Sequence, residues 1–461
     1  MSKLLHDRQL PQIVEYRVSI VETGAVGDGK TKNTRAIQQA LDVCANHGGG
    51  CVVIPPGIWL TGALTLRSNV ELHAQEGALV LFSRDFDDYP LLQASYEGIS
   101  TVRCQAPLQG DDLHDVAITG EGIFDGSGDA WRPVKKSKLT PSQWEALCQT
   151  GGFIEKAEEE SIWWPTKEAM LGEMVVVKLH DKPSFSIEEF EPARDFLRPT
   201  LLRLQRCQKV LLQGPTFENS PAWCLHLFQC DQVTIRQVNV RNPWYAQNGD
   251  GIDLDSCTNV LLEDSAFDVG DDAICIKSGK RQREMDRHLP SADMLIRRCT
   301  VYHGHGGFVV GSEMSGGVKN LHVQDCTFIG TDVGIRFKSA RGRGGVIENV
   351  LIERIQMVNI AKEAISFHMF YDGTEGTFFT EEERNKRFVD EGTPYVRHIT
   401  LREITCIGAK TAILINELTE APIEDLHIEK THIVAEQGII MQGGVGVHFY
   451  QNQIVIQKKK D

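Results

Sequence analysis

The chain has 461 residues, 41% of them hydrophobic, and a formal net charge of -15. That length exceeds one ordinary compact domain, so it predicts either two domains or one elongated repetitive fold with a large core. The acidic balance argues against nucleic acid or an anionic membrane surface as partner, since both demand a broad basic face.

No apolar run approaches the ~18 residues of a membrane-spanning helix, and the opening MSKLLHDRQLPQIVEY lacks the apolar stretch of a secretory signal. If the chain is complete, the expected location is cytoplasmic. Its 12 cysteines are scattered through strand-like segments without CxxC pairs or zinc spacing, so they read as reduced thiols packed as small hydrophobes.

In chain order, NTRAIQQALDVCANHGGG reads first, as an amphipathic helix. One pattern then recurs: a polar residue, a short alternation rich in β-branched residues and leucine, then Gly, Asn or Asp. It starts at Asn69, Asp115, Lys209, Gln232, Asn259, Asp293, Asn320, Asn349, His398 and Asp425. From Lys209 to Asn349 the starts lie 23 to 34 residues apart. Short strands at this period, with turn residues between them and no helices, predict a right-handed parallel β-helix, all-β, with the first helix covering an open end. The repeat breaks over 131–196, where PSQWEALCQT and WPTKEAMLGEM are helical patches. This segment reads as an excursion from a coil within a single domain spanning 1–461.

Four consecutive coils align on Ser256, Ser278, Ser312 and Ser339. Two and four positions earlier stand Leu254 and Ile252, Ile276 and Ile274, Val310 and Phe308, Phe337 and Ile335, which define the inward face. Between them fall Asp255 and Asp253, Lys277 and Cys275, Gly311 and Val309, Lys338 and Arg336, expected to point outward to solvent. Five positions before the serine the residue is always small: Gly251, Ala273, Gly307 and Gly334, as at a sharp corner. Six positions before it come Asp250 and Asp272, and seven before it Asp271 and His305, each pair in neighbouring coils. Register neighbours in adjacent coils are separated by about 4.8 Å. Three carboxylates and an imidazole are therefore expected in one cluster on the outer surface.

Crowded carboxylates push at least one pKa upward, so identical side chains can serve as an acid and a base. That pairing suits cleavage of a glycosidic bond. Arg336 and Lys338, one coil beyond His305, suggest a substrate bearing a carboxylate. Lys277, Lys280, Arg281, Arg283, Arg287, Arg341 and Arg343 add positive charge nearby.

The motifs NGDGID, GDD, GHG and RFK, in this order, resemble those of glycoside hydrolase family 28, the polygalacturonase family. GAVGDGKTKNTRAIQQALD and PPGIWLTGALTLRSNVELHAQEGALV resemble that family's opening coils, so the likeness covers nearly the whole chain. The resemblance implies an inverting hydrolysis that needs no metal or other cofactor. It also implies Asp271 as general acid, Asp250 and Asp272 holding and deprotonating the attacking water, and His305 tuning Asp271. Asn248 falls in the first motif as a substrate-binding position, and Arg336 and Lys338 would bind a galacturonate carboxylate. Tyr371, in ISFHMFYDG, is the candidate for the family's sugar-contacting tyrosine, while Phe367 and Phe370 read as core.

Two departures stand out: Gly249 replaces a threonine and is expected to loosen the loop bearing Asp250, and Phe337 replaces an isoleucine on the inward face. GSEMSGGVKN resembles the bacterial exo-acting members, and the 131–196 excursion is expected to wall off one end of the groove. The expected substrate is an oligogalacturonide or another pectic oligosaccharide. Rhamnogalacturonan or xylogalacturonan hydrolysis is the nearest alternative. A β-helix lyase would want a calcium-binding acidic set and a basic residue abstracting a proton, and a non-catalytic carbohydrate-binding solenoid would have no reason to stack Asp250 on Asp272.

Overall fold

The computed structural model describes residues 9–156, 160–180, 182, 184–281, 288–371 and 387–457. Arg283 and Arg287 lie outside them. The chain winds as a right-handed parallel β-helix in which each coil contributes a strand to three parallel faces; Asp231–Arg236, Asn239–Arg241 and Ile252–Asp255 form one such coil.

The repeat has a backbone cause. All ten repeat starts, from Asn69 to Asp425, sit in the left-handed region with φ between 53° and 63°. Asn and Asp tolerate that conformation better than other residues with a side chain, which explains the polar residue that opens each coil. Several also bond along the stack: Asn320 Nδ2 donates to Asp293 Oδ1 at 2.9 Å, and Asn349 Nδ2 to Asn320 Oδ1 at 3.4 Å.

The interior is one continuous apolar column, with rings stacked between coils; Phe337 and Phe367 lie 4.5 Å apart and nearly parallel at 2°. Phe337 thus fills an inward position, and Phe370 packs partly buried against the same core. At the N-terminal end helix α1 (Thr34–Asn46) buries Ile37, Ala40, Leu41 and Cys44, spaced for one helical face, against the first coils. All 12 cysteines are free thiols; eleven are buried and Cys148 is half-buried. Among the described residues no helix is long and apolar enough to cross a membrane.

Both helical patches of the 131–196 segment form. Helix α2 (Pro141–Gln149) opens on a Thr140 and Gln143 capping box with proline in its first turn, and α3 (Lys167–His180) follows a small antiparallel sheet of Val134–Lys135, Phe153–Lys156 and Ser161–Trp164. A second element was not anticipated: an antiparallel hairpin of Leu91–Tyr96 and Ile99–Cys104. Tyr89, Leu91, Val102, Trp131, Leu179 and Phe190 form a separate small core that fastens this hairpin to the excursion.

Candidate active site

The catalytic face is made of four neighbouring strands, numbered within it: β1 (Ile252–Asp255), β2 (Asp272–Lys277), β3 (Gly306–Val310) and β4 (Val333–Lys338). Their pairing places Ile252 beside Ile274, Ile274 beside Phe308, and Phe308 beside Ile335, as the serine alignment requires, and no bulge intervenes. At the corner before the strands, the Gly251 amide donates to the Asp272 carbonyl at 2.9 Å and the His305 amide to the Asp271 carbonyl at 2.8 Å. Asp250 therefore stacks on Asp272 and Asp271 on His305. Oxygens from Asp250, Asp271 and Asp272 come within 4.8 Å of one another.

The residues between the inward positions do leave the core, but they do not reach open solvent as expected. Asp253, Asp255, Lys277, Cys275, Val309, Arg336 and Lys338 are all buried, and so are Asp250 and Asp272. The face is the floor of a cleft. The hairpin tip crosses it where the Lys280 amide donates to the Gly98 carbonyl at 3.1 Å. Behind the tip, Tyr96 stacks on Trp223 at 4.5 Å, and Lys277 Nζ lies 4.8 Å from the Trp223 ring centroid. From the excursion, Lys138 approaches His305.

A lysine and a histidine meet the acidic cluster. Lys338 Nζ donates to Asp272 Oδ2 at 2.7 Å, and His305 Nδ1 lies 3.1 Å from Asp271 Oδ1. The Asp272 amide also donates to Asp271 Oδ1, at 3.0 Å. Oδ1 of Asp250 and Oδ1 of Asp272 are buried and accept no hydrogen bond from the described residues. The three carboxylates are spaced closely enough to hold a cation, yet Lys338 already balances one of them and His305 bonds another.

The electrostatics differ from the expected division of labour. Burial, reinforced by Asp271, pushes Asp250 well above the usual carboxylate range. Burial acts on Asp271 in the same sense, but His305, joined by Lys338 and Lys277, outweighs it and holds that carboxyl below its ordinary range. His305 rises in return, chiefly through Asp271. Burial alone would discharge Lys338, yet the Asp272 carboxylate keeps its ammonium above the ordinary lysine range. The raised carboxyl is thus Asp250 rather than Asp271, because the imidazole stands over only one of the pair.

Arg336 and Lys338 flank a single ring: the guanidinium carbon lies 5.1 Å, and Nζ 4.9 Å, from the centroid of Tyr371. The structure thus brings Tyr371 to the site together with the three aspartates, His305, Arg336 and Lys338. Asn248 is committed locally, its Oδ1 accepting from Arg198 Nη2 at 2.8 Å. Gly249 does not loosen the Asp250 loop: its amide donates to the Ala246 carbonyl and its carbonyl accepts from Asn242 Nδ2 at 3.1 Å. A Cβ there would come within 2.7 Å of the Ala246 Cβ, so glycine is what lets the turn close.

Sequence reasoning passed over a second layer. Lys277 Nζ lies 3.0 Å from Glu313 Oε2 and 3.6 Å from Asp253 Oδ1, below Trp223. Burial would raise Glu313, but Lys277, Lys338 and Arg343 together outweigh it and bring the carboxyl down to about 2. Glu313 directly follows the aligned Ser312, so the same ruler could have found it. Trp223 precedes Leu225, the register neighbour of Ile252, and so holds the corner position of Asp250 one coil earlier, whereas Lys138 lies outside the coils and carries no such signal.

Comparison with known proteins agrees with this geometry. A "Probable polygalacturonase" of Vitis vinifera is 26% identical over 428 residues, covering 91% of this chain and 74% of that protein. The "Exo-poly-alpha-D-galacturonosidase" of Dickeya chrysanthemi is 28% identical over 411 residues, 86% of this chain, which spans only 63% of that protein's length. The crystal structure of a hyperthermoactive exopolygalacturonase from Thermotoga maritima superposes with a TM-score of 0.81 at 28% identity, covering 98% of this chain and 95% of that one. The family profile described as Glycosyl hydrolases family 28 matches residues 193–443, which include every aspartate, histidine, arginine, lysine and tyrosine placed in the site above except Tyr96 and Lys138. With more than half of its length matched, the chain belongs to glycosyl hydrolases family 28 and is a glycoside hydrolase.

Proposed function

We propose that the protein hydrolyses α-1,4-galacturonosyl linkages of pectin-derived oligogalacturonides, acting from one chain end and releasing galacturonic acid. The observation that carries this reading is the stack of Asp250, Asp271 and Asp272 beside the Arg336, Lys338 and Tyr371 group. An acid and a base for the linkage lie next to two cations for a sugar carboxylate.

Among the described residues both donors to Asp271 converge on its Oδ1, so Oδ2 is the oxygen that delivers a proton to the leaving sugar. Asp272, paired with Lys338, takes the proton of the attacking water, and Asp250 orients that water through an oxygen the protein leaves without a donor. Tyr371 packs against the sugar between Arg336 and Lys338. Lys338 thus has two duties, facing Asp272 on one side and the substrate carboxylate on the other.

The exo reading is supported by the hairpin tip across the floor at Lys280 and by the excursion at His305, which together wall the cleft. The printed names of the Dickeya chrysanthemi and Thermotoga maritima relatives point the same way. A cytoplasmic location is supported by 12 free thiols, which persist in a reducing compartment. Imported short oligosaccharides would be the substrate there.

One observation favours a second stereochemical reading. The carboxyl oxygens approach within 4.8 Å, closer than the roughly 6.5–9.5 Å usual for inverting pairs. A retaining route would make one carboxylate the nucleophile. Burial of Asp250 and the ion pair on Asp272 support the inverting route, in which water rather than either carboxylate attacks.

The test is incubation with saturated digalacturonate, trigalacturonate and rhamnogalacturonan fragments, following the first product by proton NMR. Monomer released from the galacturonates with inverted anomeric configuration is expected. Retained configuration overturns the inverting route, unsaturated products overturn hydrolysis, and an early spread of medium-length oligomers overturns the exo reading.

A further inference from the structure

His305 is approached from both sides. Nδ1 faces Asp271 Oδ1 at 3.1 Å, and Nε2 faces Lys138 Nζ at 3.4 Å. Lys138 stands outside the aligned coils: it ends the short turn Lys136–Lys138 after Val134–Lys135, a strand held by Ser161–Trp164 of the excursion. The half-buried ammonium offers only donors, so it favours the form in which the Nε2 it faces carries the lone pair and Nδ1 the hydrogen. An imidazolium in the same place would set two positive charges 3.4 Å apart.

With Nδ1–H facing Oδ1 in both forms, the pair has one further proton, which sits either on Nε2, giving an imidazolium and a carboxylate, or on Asp271 Oδ2, giving an imidazole and a carboxylic acid. Only the second arrangement supplies an acid to the leaving sugar. We propose that Lys138 is a positioning residue that displaces this shared proton from the imidazole onto the Asp271 carboxyl. The inference rests on the acid role given to Asp271 above.

The other charged groups around the pair work in known directions. Asp271 and Asp272 favour the imidazolium and Lys138 opposes it. On the carboxyl side Lys338 and Lys277 favour the ionised form. Among these cations only Lys138 faces the imidazole nitrogen itself, so it alone can bias the pair towards the acid without discharging the rest of the cluster.

The test compares Lys138→Met and Lys138→Arg with the unaltered protein in the pH dependence of kcat at saturating trigalacturonate. Losing the ammonium leaves the proton on the imidazole and the pair holds it more tightly. In Lys138→Met the plateau is expected to fall up to about tenfold while the alkaline limb moves up by as much as about one pH unit. Lys138→Arg, which keeps charge and donors, restores both. A Lys138→Met profile that is lower but unshifted, or an arginine variant no better than methionine, overturns the proposal. NMR titration of the His305 ring gives a readout independent of turnover: its pKa rises in Lys138→Met if the lysine acts as argued and is unchanged if it does not. Were the unaltered protein inactive on galacturonates, the functional reading would fail while this titration still judged the lysine.

Discussion

Lys338 Nζ and Asp272 Oδ2 form an ion pair 2.7 Å long between strands that are two coils apart, with only 8% and 2% of their side chains exposed. A pair so deeply placed is poorly screened, and each charge depends on the other for its solvation.

Lys338→Met should therefore leave Asp272 charged and alone. The expected loss is roughly 3–5 kcal/mol of stability, read by denaturant unfolding, together with a fall in kcat beyond what Lys338→Arg produces. An unchanged unfolding midpoint would mean that water takes over the role of the lysine.

Asp271→Asn keeps size and hydrogen bonding but removes the transferable proton. Turnover of trigalacturonate should drop by about 10²- to 10⁴-fold, with circular dichroism and substrate affinity preserved. Activity that survived the change would move the acid role to Asp250, whose carboxyl is the raised one.

Glu313 gives a stability signature in acid. Its folded-state pKa, about 2, lies below the ordinary glutamate value of 4.5, so its contribution is fully present above about 4.5 and disappears as pH falls through 2. The shift corresponds to a contribution on the order of 3 kcal/mol, from Lys277 together with Lys338 and Arg343. Between pH 4.5 and 2 the unaltered protein should lose stability more steeply than Glu313→Gln. Parallel slopes would refute this assignment.

Gly98 has φ +73° at the hairpin tip, and a Cβ there would lie 2.4 Å from the Lys280 nitrogen and 2.7 Å from its Cβ. Gly98→Val should lift the tip from the cleft floor. On polygalacturonate the early products should then broaden from monomer towards dimers and trimers, as chromatography would show. A product pattern still confined to monomer would assign closure to the excursion alone.

The coil, the corner and the stacked acids were legible in the sequence because a solenoid turns linear register into spatial adjacency: a shared offset from Ser256 and Ser278 was enough to put Asp250 against Asp272. What lies over that face was not legible. Arg336 and Lys338 read as solvated because alternation separates core from non-core, and it carries no information on whether a distant hairpin covers the non-core side. Tyr96 and Lys138 reach the cleft through tertiary docking of non-repeating segments, where offset along the chain gives no distance. The direction of the carboxyl shifts was equally hidden. Crowding predicts that one acid is raised, but only the position of the His305 ring decides that it is Asp250.

The left-handed hinge that opens every coil also limits how far a disturbance can spread. Each turn is re-set by its own Asn, Asp or other polar residue, so misplacement in one coil is corrected at the next instead of accumulating along the stack. The three aspartates come from two adjoining coils and depend on the docking of their immediate neighbours. Fraying at the far C-terminal coils should leave the chemistry intact, whereas a one-residue deletion between Asn259 and Asp271 would bring the wrong side chain to face the sugar.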